Sequence, residues 1–438
     1  MQSYRKVGKC LPKRNFIQVA KIKVALCDLK YPFLKKYLCL CDKNIQQLLI
    51  FTIRMAFKLP NSKLPDVKTT IFTEMSLLAQ QKNAVNLSQG FPDYQPDENL
   101  IKYLGEFSKK GHNQYAPLFG IKELREEISG KFNLQYQVDY HPDYEINITA
   151  GATQGIFTII SAFVEKGDEV IIFEPAYDCY EPTIILNGGI VKNVKMLYPD
   201  YKINWSEVKN LVSEKTKMII INNPNNPAGK ILKQKDIDEL IAIVKNTDII
   251  ILSDEVYESI TFDEKPHLTL ARYPELKERT FVVGSFGKLL HITGWKIGYV
   301  CAPSDLMNEF RKVHQFNVFC VNTPAQFAIS KYLQNIDDFK SISTFFQTKR
   351  DYLKNALKET PFQLLDCEGT YFLSANFGAI SDMQDKDFCY WLTKEYKVAT
   401  IPFSAFYKDK TDEKVIRFCF AKEQKTLDKA IEQLLKIK

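Results

Sequence analysis

The 438-residue chain lacks both common glycine signatures of nucleotide binding; neither GxGxxG nor GxxxxGK(S/T) occurs in it. That removes two familiar loops that hold polyphosphates through backbone amides. No CxxC pair is present, and Cys39-x-Cys41 has no accompanying histidine or second pair, so the ten cysteines give no metal-ligand spacing. They read as thiols of a reducing, cytoplasmic chain. The apolar stretch 48–53 is too short to cross a bilayer. Internal repeats and low-complexity linkers are missing too. So are the Lys-Thr-Gly and Ser-Asp-Asn elements that would make Ser285-x-x-Lys288 a penicillin-binding type serine nucleophile.

What charge there is lies unevenly. Residues 1–54 carry twelve Lys or Arg against Asp28 and Asp42, a net of +10, which leaves about −3 for the rest of a chain whose total is +7. A slightly acidic body argues against nucleic acid or an anionic membrane as partner. The first segment is basic like a transit peptide but not rich in serine. With Met55 available as an alternative start, 1–54 is expected to be an extension without a folded role.

The length allows two lobes. From about residue 145, apolar runs at 169–173, 217–222, 248–253, 280–284 and 296–301 read as buried strands. They alternate with helical spacing at 153–164, 235–245, 308–312 and 324–333. This is the pattern of an α/β fold with a mostly parallel sheet. After about 340 come a long helix at 345–357, β-like runs at 370–376 and 415–420, and an amphipathic end at 427–437. These predict a second, smaller α+β domain.

Several strand ends carry chemistry. Lys288 follows the apolar Phe281-Val282-Val283 in a glycine-flanked turn, where desolvation would free its amine. Asp254 ends another strand; an aspartate there is also a favoured helix N-cap, but it can equally hold a pyridine nitrogen protonated. Tyr257 and Asn226, the latter in the turn Asn222-Asn223-Pro224-Asn225-Asn226-Pro227, can reach a phenolic oxygen. Ala150-Gly151-Ala152-Thr153 opens a helix whose first amides suit an anion, and Ser285 and Lys296 add a hydroxyl and a charge. Arg417, inside the apolar run Val415-Ile416-Arg417-Phe418, is either half of a structural ion pair or a fork for a carboxylate. A lysine, a carboxylate, a phosphate cradle and a carboxylate fork together match pyridoxal 5′-phosphate acting on an amino acid.

The set resembles the fold type I, class I and II aminotransferases, in the branch of the methionine and kynurenine enzymes. The resemblance rests on Gln89-Gly90-Phe91-Pro92-Asp93, Asn113-Gln114-Tyr115-Ala116-Pro117, Ser253-Asp254-Glu255-Val256-Tyr257, Ser285-Phe286-Gly287-Lys288 with Gly294-Trp295-Lys296, and Ile416-Arg417-Phe418-Cys419-Phe420. It runs from about Met55 to the C-terminus. It implies the PLP-transferase fold: a large domain with a mostly parallel seven-stranded sheet covered by helices at 99–338, and a small domain at 339–438. An arm at 55–98 would join the small domain.

For the site, the resemblance implies that Lys288 forms the Schiff base, Asp254 pairs with the ring nitrogen, and Asn226 and Tyr257 meet the phenolic oxygen. Tyr177 would stack on the ring. Ser285, Lys296 and the amides of Ala152 and Thr153 would hold the phosphate. The partner subunit's Tyr115 would join them, which implies a homodimer. Arg417, Gly90, Asn226 and Phe319 would bind substrate. Where mammalian kynurenine enzymes carry a histidine this chain has Cys320, and Val321-Asn322-Thr323-Pro324 looks like the bacterial methionine branch. The implied reaction moves the amino group of methionine, another bulky apolar or aromatic amino acid, or kynurenine to a 2-oxo acid. Rival readings are a β-lyase for cysteine conjugates and, from another class, a PLP-sensing transcription regulator. The regulator would need a DNA-binding module, and 1–54 offers no pair of helices around a tight glycine turn.

Overall fold

The computed structural model describes residues 60–335 and 339–438. The chain divides into two units, Met1–Pro65 and Asp66–Lys438. Of the first, residues 60–65 are described, and there the Leu64 amide donates to Ser62 Oγ at 3.0 Å. The basic extension 1–54, with Cys39 and Cys41, lies outside the described residues, as does Met55.

The strands of the second unit are, in chain order, β1 (Val85–Asn86), β2 (Ile146–Thr149), β3 (Glu169–Glu174), β4 (Ile190–Lys195), β5 (Thr216–Asn222), β6 (Ile250–Asp254), β7 (Thr280–Ser285), β8 (Gly298–Cys301), β9 (Gln363–Leu364), β10 (Phe372–Asn376), β11 (Val398–Ala399), β12 (Ile401–Pro402) and β13 (Val415–Cys419). Seven of them form one sheet in the order β2-β8-β7-β6-β5-β3-β4. β8 runs antiparallel to both neighbours and the other adjacent pairs are parallel, so the sheet is mostly parallel, as the sequence pattern predicts.

Alternation along each strand explains why the runs are apolar throughout. Ile171, Ile219, Ile221 and Ile251 enter one core with Ile237 and Leu240 of the helix Gln234–Val244. Val170, Ile172, Ile220 and Leu252 enter the opposite core with Ile156, Ile159 and Ile160 of the helix Ala152–Phe163. Both faces are therefore covered. Helices at 153–164 and 235–245 appear within one residue of the expected ends, whereas 308–312 and 345–357 lie inside the longer Ser304–Asn317 and Lys340–Leu357.

A four-stranded antiparallel sheet, β12-β13-β10-β9, follows in the C-terminal part. It shares a core with the helices Lys340–Leu357, Asp385–Glu395 and Gln424–Leu434. Met75 and Ala79 of the helix Ile71–Lys82 join that core, and β1 pairs with β11, so the N-terminal segment is bound to the C-terminal one.

Candidate active site

Strand register decides where the site forms. Asn222 pairs with Asp254 across β5 and β6, and Asp254 pairs with Val283 of β7. Ser285 and Thr149 both pair with Gly298 at the start of β8. The carboxyl ends of β2, β5, β6 and β7 thus meet along one edge, the usual place for ligands in an open α/β sheet. A cavity of about 110 Å³ lies there, and Lys288, Asp254, Tyr257, Asn226 and Tyr177 line it. Ala152, Thr153, Ser285 and Lys296 complete the sequence-named residues around it.

Lys288 stands on the short helix Phe286–Leu289 directly after β7. Its amine donates to the Tyr371 hydroxyl at 2.7 Å and to the Gly90 carbonyl at 3.0 Å. Burial lowers its pKa to about 8, with Arg417 and Lys296 acting in the same direction and Cys419 and Asp254 opposing. A neutral amine is therefore accessible near neutral pH.

Asp254 is buried, and no helix follows it; the chain turns instead, so the N-cap alternative does not apply. One carboxylate oxygen accepts from the Tyr180 hydroxyl at 2.5 Å and the other from the Val256 amide at 3.3 Å. Burial raises its pKa to about 6, against the effect of those hydrogen bonds. A cation placed in the cavity would favour the charged form.

Arg417 is 1 % exposed in the middle of β13, where sequence allowed a structural ion pair. No carboxylate lies in salt-bridge contact with it among the described residues. Its guanidinium instead donates to Asn226 Oδ1 at 2.6 Å and to the Ser88 carbonyl at 3.2 Å, lies 3.8 Å from the Phe372 ring centroid, and leaves Nε without a partner. Burial lowers its pKa to about 10, which still leaves it charged at neutral pH. A buried, charged fork without a protein anion is fitted for a ligand's carboxylate. Because Asn226 gives its oxygen to Arg417, it has N–H groups left to offer the cavity.

The anion cradle is built by close backbone approach. Gly151, at φ +78°, precedes the helix Ala152–Phe163, and no side chain caps that helix. A Cβ on Gly298 would come within 2.9 Å of the Ala152 nitrogen and 2.7 Å of the Gly284 carbonyl, so only glycine lets β8 pass beneath the helix start. A Cβ on Gly151 would lie 3.4 Å from Lys296 Nζ. Uncapped amides beside a lysine and Ser285 make a donor set suited to phosphate. With the lysine, the carboxylate and the unpaired arginine, these residues fit pyridoxal 5′-phosphate.

Arg417 and Gly90 do not line this cavity but bond to residues that do, Arg417 to Asn226 and the Gly90 carbonyl to Lys288, whereas Tyr115 and Phe319 lie away from it within the chain. Tyr115 is 82 % exposed, and its ring stands edge-on to Phe319 at 5.4 Å, itself 46 % exposed. Sequence reading missed Tyr180, Tyr371 and the positioning part of Asn222, whose side chain accepts from the Asn226 amide at 2.7 Å and donates to the Asp254 carbonyl at 2.9 Å. Tyr180, three residues after Tyr177, and Tyr371, before a strand, are in sequence ordinary core aromatics. Only their hydroxyl partners mark them.

A sequence model of the family described as aminotransferase class I and II matches residues 82–434. The methionine aminotransferase of Escherichia coli is 45 % identical over 377 residues, covering 86 % of this chain and 98 % of that protein. The kynurenine–oxoglutarate transaminase of Dictyostelium discoideum is 34 % identical over 90 % of this chain and 99 % of its own. Among solved structures, an Escherichia coli protein with a methionine aminotransferase function superposes with a TM-score of 0.85 at 45 % identity, covering 87 % of this chain and 100 % of that one. N-succinyldiaminopimelate aminotransferase of Mycobacterium tuberculosis gives 0.84 at 33 % identity, with 87 % and 100 % covered.

Proposed function

The chain belongs to the class I and II aminotransferases and is a transaminase, and from that premise we propose that it uses pyridoxal 5′-phosphate to move the amino group of methionine, or another bulky apolar or aromatic L-amino acid, to a 2-oxo acid. The observation that carries this reading is the free Lys288 amine in one cavity with Asp254, beside an Arg417 that has no protein anion. The substrate preference leans on the Escherichia coli methionine aminotransferase, a relative over nearly its full length.

The bound cofactor supplies an electron sink for the pair left when Cα loses its proton. Asp254 would face its ring nitrogen, Asn226 and Tyr257 its phenolic oxygen, and Tyr177 its ring. The amides of Ala152 and Thr153, with Ser285 and Lys296, would hold its phosphate. Arg417 grips the substrate carboxylate through paired N–H groups, which orients the Cα–H bond. Lys288, its pKa near 8, takes that proton from Cα and holds it. A second substrate reverses the steps, so ping-pong kinetics follow. Tyr115 and Phe319, exposed in the isolated chain, would reach the site from a second copy, making the enzyme a homodimer. The proposed cofactor domain is 99–338 and the small domain 339–438 with the preceding arm. No described helix is long and apolar enough to cross a membrane, and a cytoplasmic location is part of this proposal.

A panel of amino donors with one fixed 2-oxo acid tests the substrate reading. Methionine and large apolar or aromatic donors should lead, and a lead by aspartate would overturn it. Release of pyruvate and ammonia from a cysteine conjugate without any acceptor would mark the β-lyase alternative.

A further inference from the structure

The hydrogen bonds around Lys288 have a defined direction. The Tyr371 hydroxyl donates to the Gly90 carbonyl, so toward Lys288 that oxygen can only accept. The carbonyl of Gly90 is an acceptor by nature. The two acceptors, at 2.7 and 3.0 Å from Nζ and hydrogen-bonded to each other, lie on the same side of the amine.

The two acceptors are themselves held. Tyr371 is fully buried, its ring edge-on to Tyr257 at 5.1 Å and tilted against Phe346 at 5.7 Å. It immediately precedes β10, at Gly369-Thr370-Tyr371, where a Cβ on Gly369 would come within 2.8 Å of the Ile260 carbonyl. Gly90 packs against Phe372, whose ring would lie 2.7 Å from a Cβ there. One acceptor thus comes from the C-terminal sheet and the other from the N-terminal arm.

We propose that Tyr371 and the Gly90 carbonyl form a docking point for the Lys288 amine whenever it is released from the cofactor, and so hold it in place during proton transfer. The proposal rests on the reading of Lys288 as the proton-moving group and adds Tyr371 as its positioning residue. While Lys288 is bound to the cofactor its nitrogen is no longer an amine, so the tyrosine acts in the released state alone. Burial holds the Tyr371 hydroxyl well above its ordinary pKa, which keeps it a neutral donor to Gly90.

Tyr371→Phe in the holoenzyme keeps the ring packing and removes only the hydroxyl. Its resting absorbance should match the wild type, and L-methionine should bind with unchanged affinity. In a single-turnover half-reaction, proton transfer should slow about tenfold, the scale of one lost hydrogen bond to a charged or reacting group, with a larger isotope effect from Cα-deuterated methionine. Carbamylation of Lys288 by cyanate, measured by peptide mass spectrometry after conversion with excess methionine, should become several-fold faster because the amine is no longer held. Unchanged half-reaction and unchanged carbamylation would overturn the docking point. So would an altered resting absorbance with an unaltered half-reaction, which would place the tyrosine on the bound cofactor. Full turnover by Lys288→Ala would instead sink the underlying assignment of the base, so the two failures are distinguishable.

Discussion

In the seven-stranded sheet the site residues sit in the turns where strands stop, whereas in the four-stranded sheet Arg417 occupies the middle of β13 and Tyr371 the residue before β10. The difference follows from strand direction. Parallel strands deliver their carboxyl ends to a shared edge, where turns and an uncapped helix start present backbone donors and short polar side chains. The antiparallel sheet has no such edge and reaches the cavity with long side chains, Arg417 to Asn226 and Tyr371 to Lys288. On the proposed function, the first sheet holds the cofactor and the second holds the substrate and the base.

Arg417→Lys separates the two roles with the largest expected effect. A point charge cannot reproduce the planar fork, so kcat/KM for the amino donor should fall about a hundredfold, while cofactor affinity changes little. Steady-state kinetics beside a cofactor titration would check this, and equal losses in both would erase the division between the sheets.

At Asp254 the expected effect is on stability. Its folded pKa, about 6, lies above the ordinary 3.8, so the folded cofactor-free chain holds a proton that the unfolded chain releases. Stability is therefore lost as pH rises from near 4 through 6, by about 3 kcal/mol, and stays lost above that. A cation at the ring nitrogen would oppose the loss. Thermal unfolding across this pH range should show the decline without cofactor and a weaker one with it. Asp254→Asn should abolish the difference, and an unchanged difference in that variant would remove the ion pair from the account.

The same contrast explains what the sequence makes legible. Strands β3, β5, β6 and β7 announce themselves as continuous apolar runs because both faces are buried. The edge strand β4, Ile-Val-Lys-Asn-Val-Lys, is partly open to solvent and broken by polar residues, so it has no such signature; β2, Ile-Asn-Ile-Thr, is buried but alternates apolar and polar residues. Asp254, Asn226 and Lys288 stand out because polar residues at or just past the ends of apolar strands are unusual together. Arg417 stands out as a charge in an apolar strand, although its lack of an anion is visible only in three dimensions. Tyr180 and Tyr371 do not stand out at all. Their rings belong to the core, and their function lies in one oxygen whose partner is 74 residues away for Tyr180 and 83 for Tyr371.

The central claim is that Lys288 carries both the cofactor and the proton. Adding pyridoxal 5′-phosphate to the wild-type chain and to Lys288→Ala, and following both the absorbance of the lysine-bound cofactor and product formation from methionine, addresses it directly. The wild type should develop that absorbance and turn over, and the variant should do neither. Full turnover by Lys288→Ala would contradict the account.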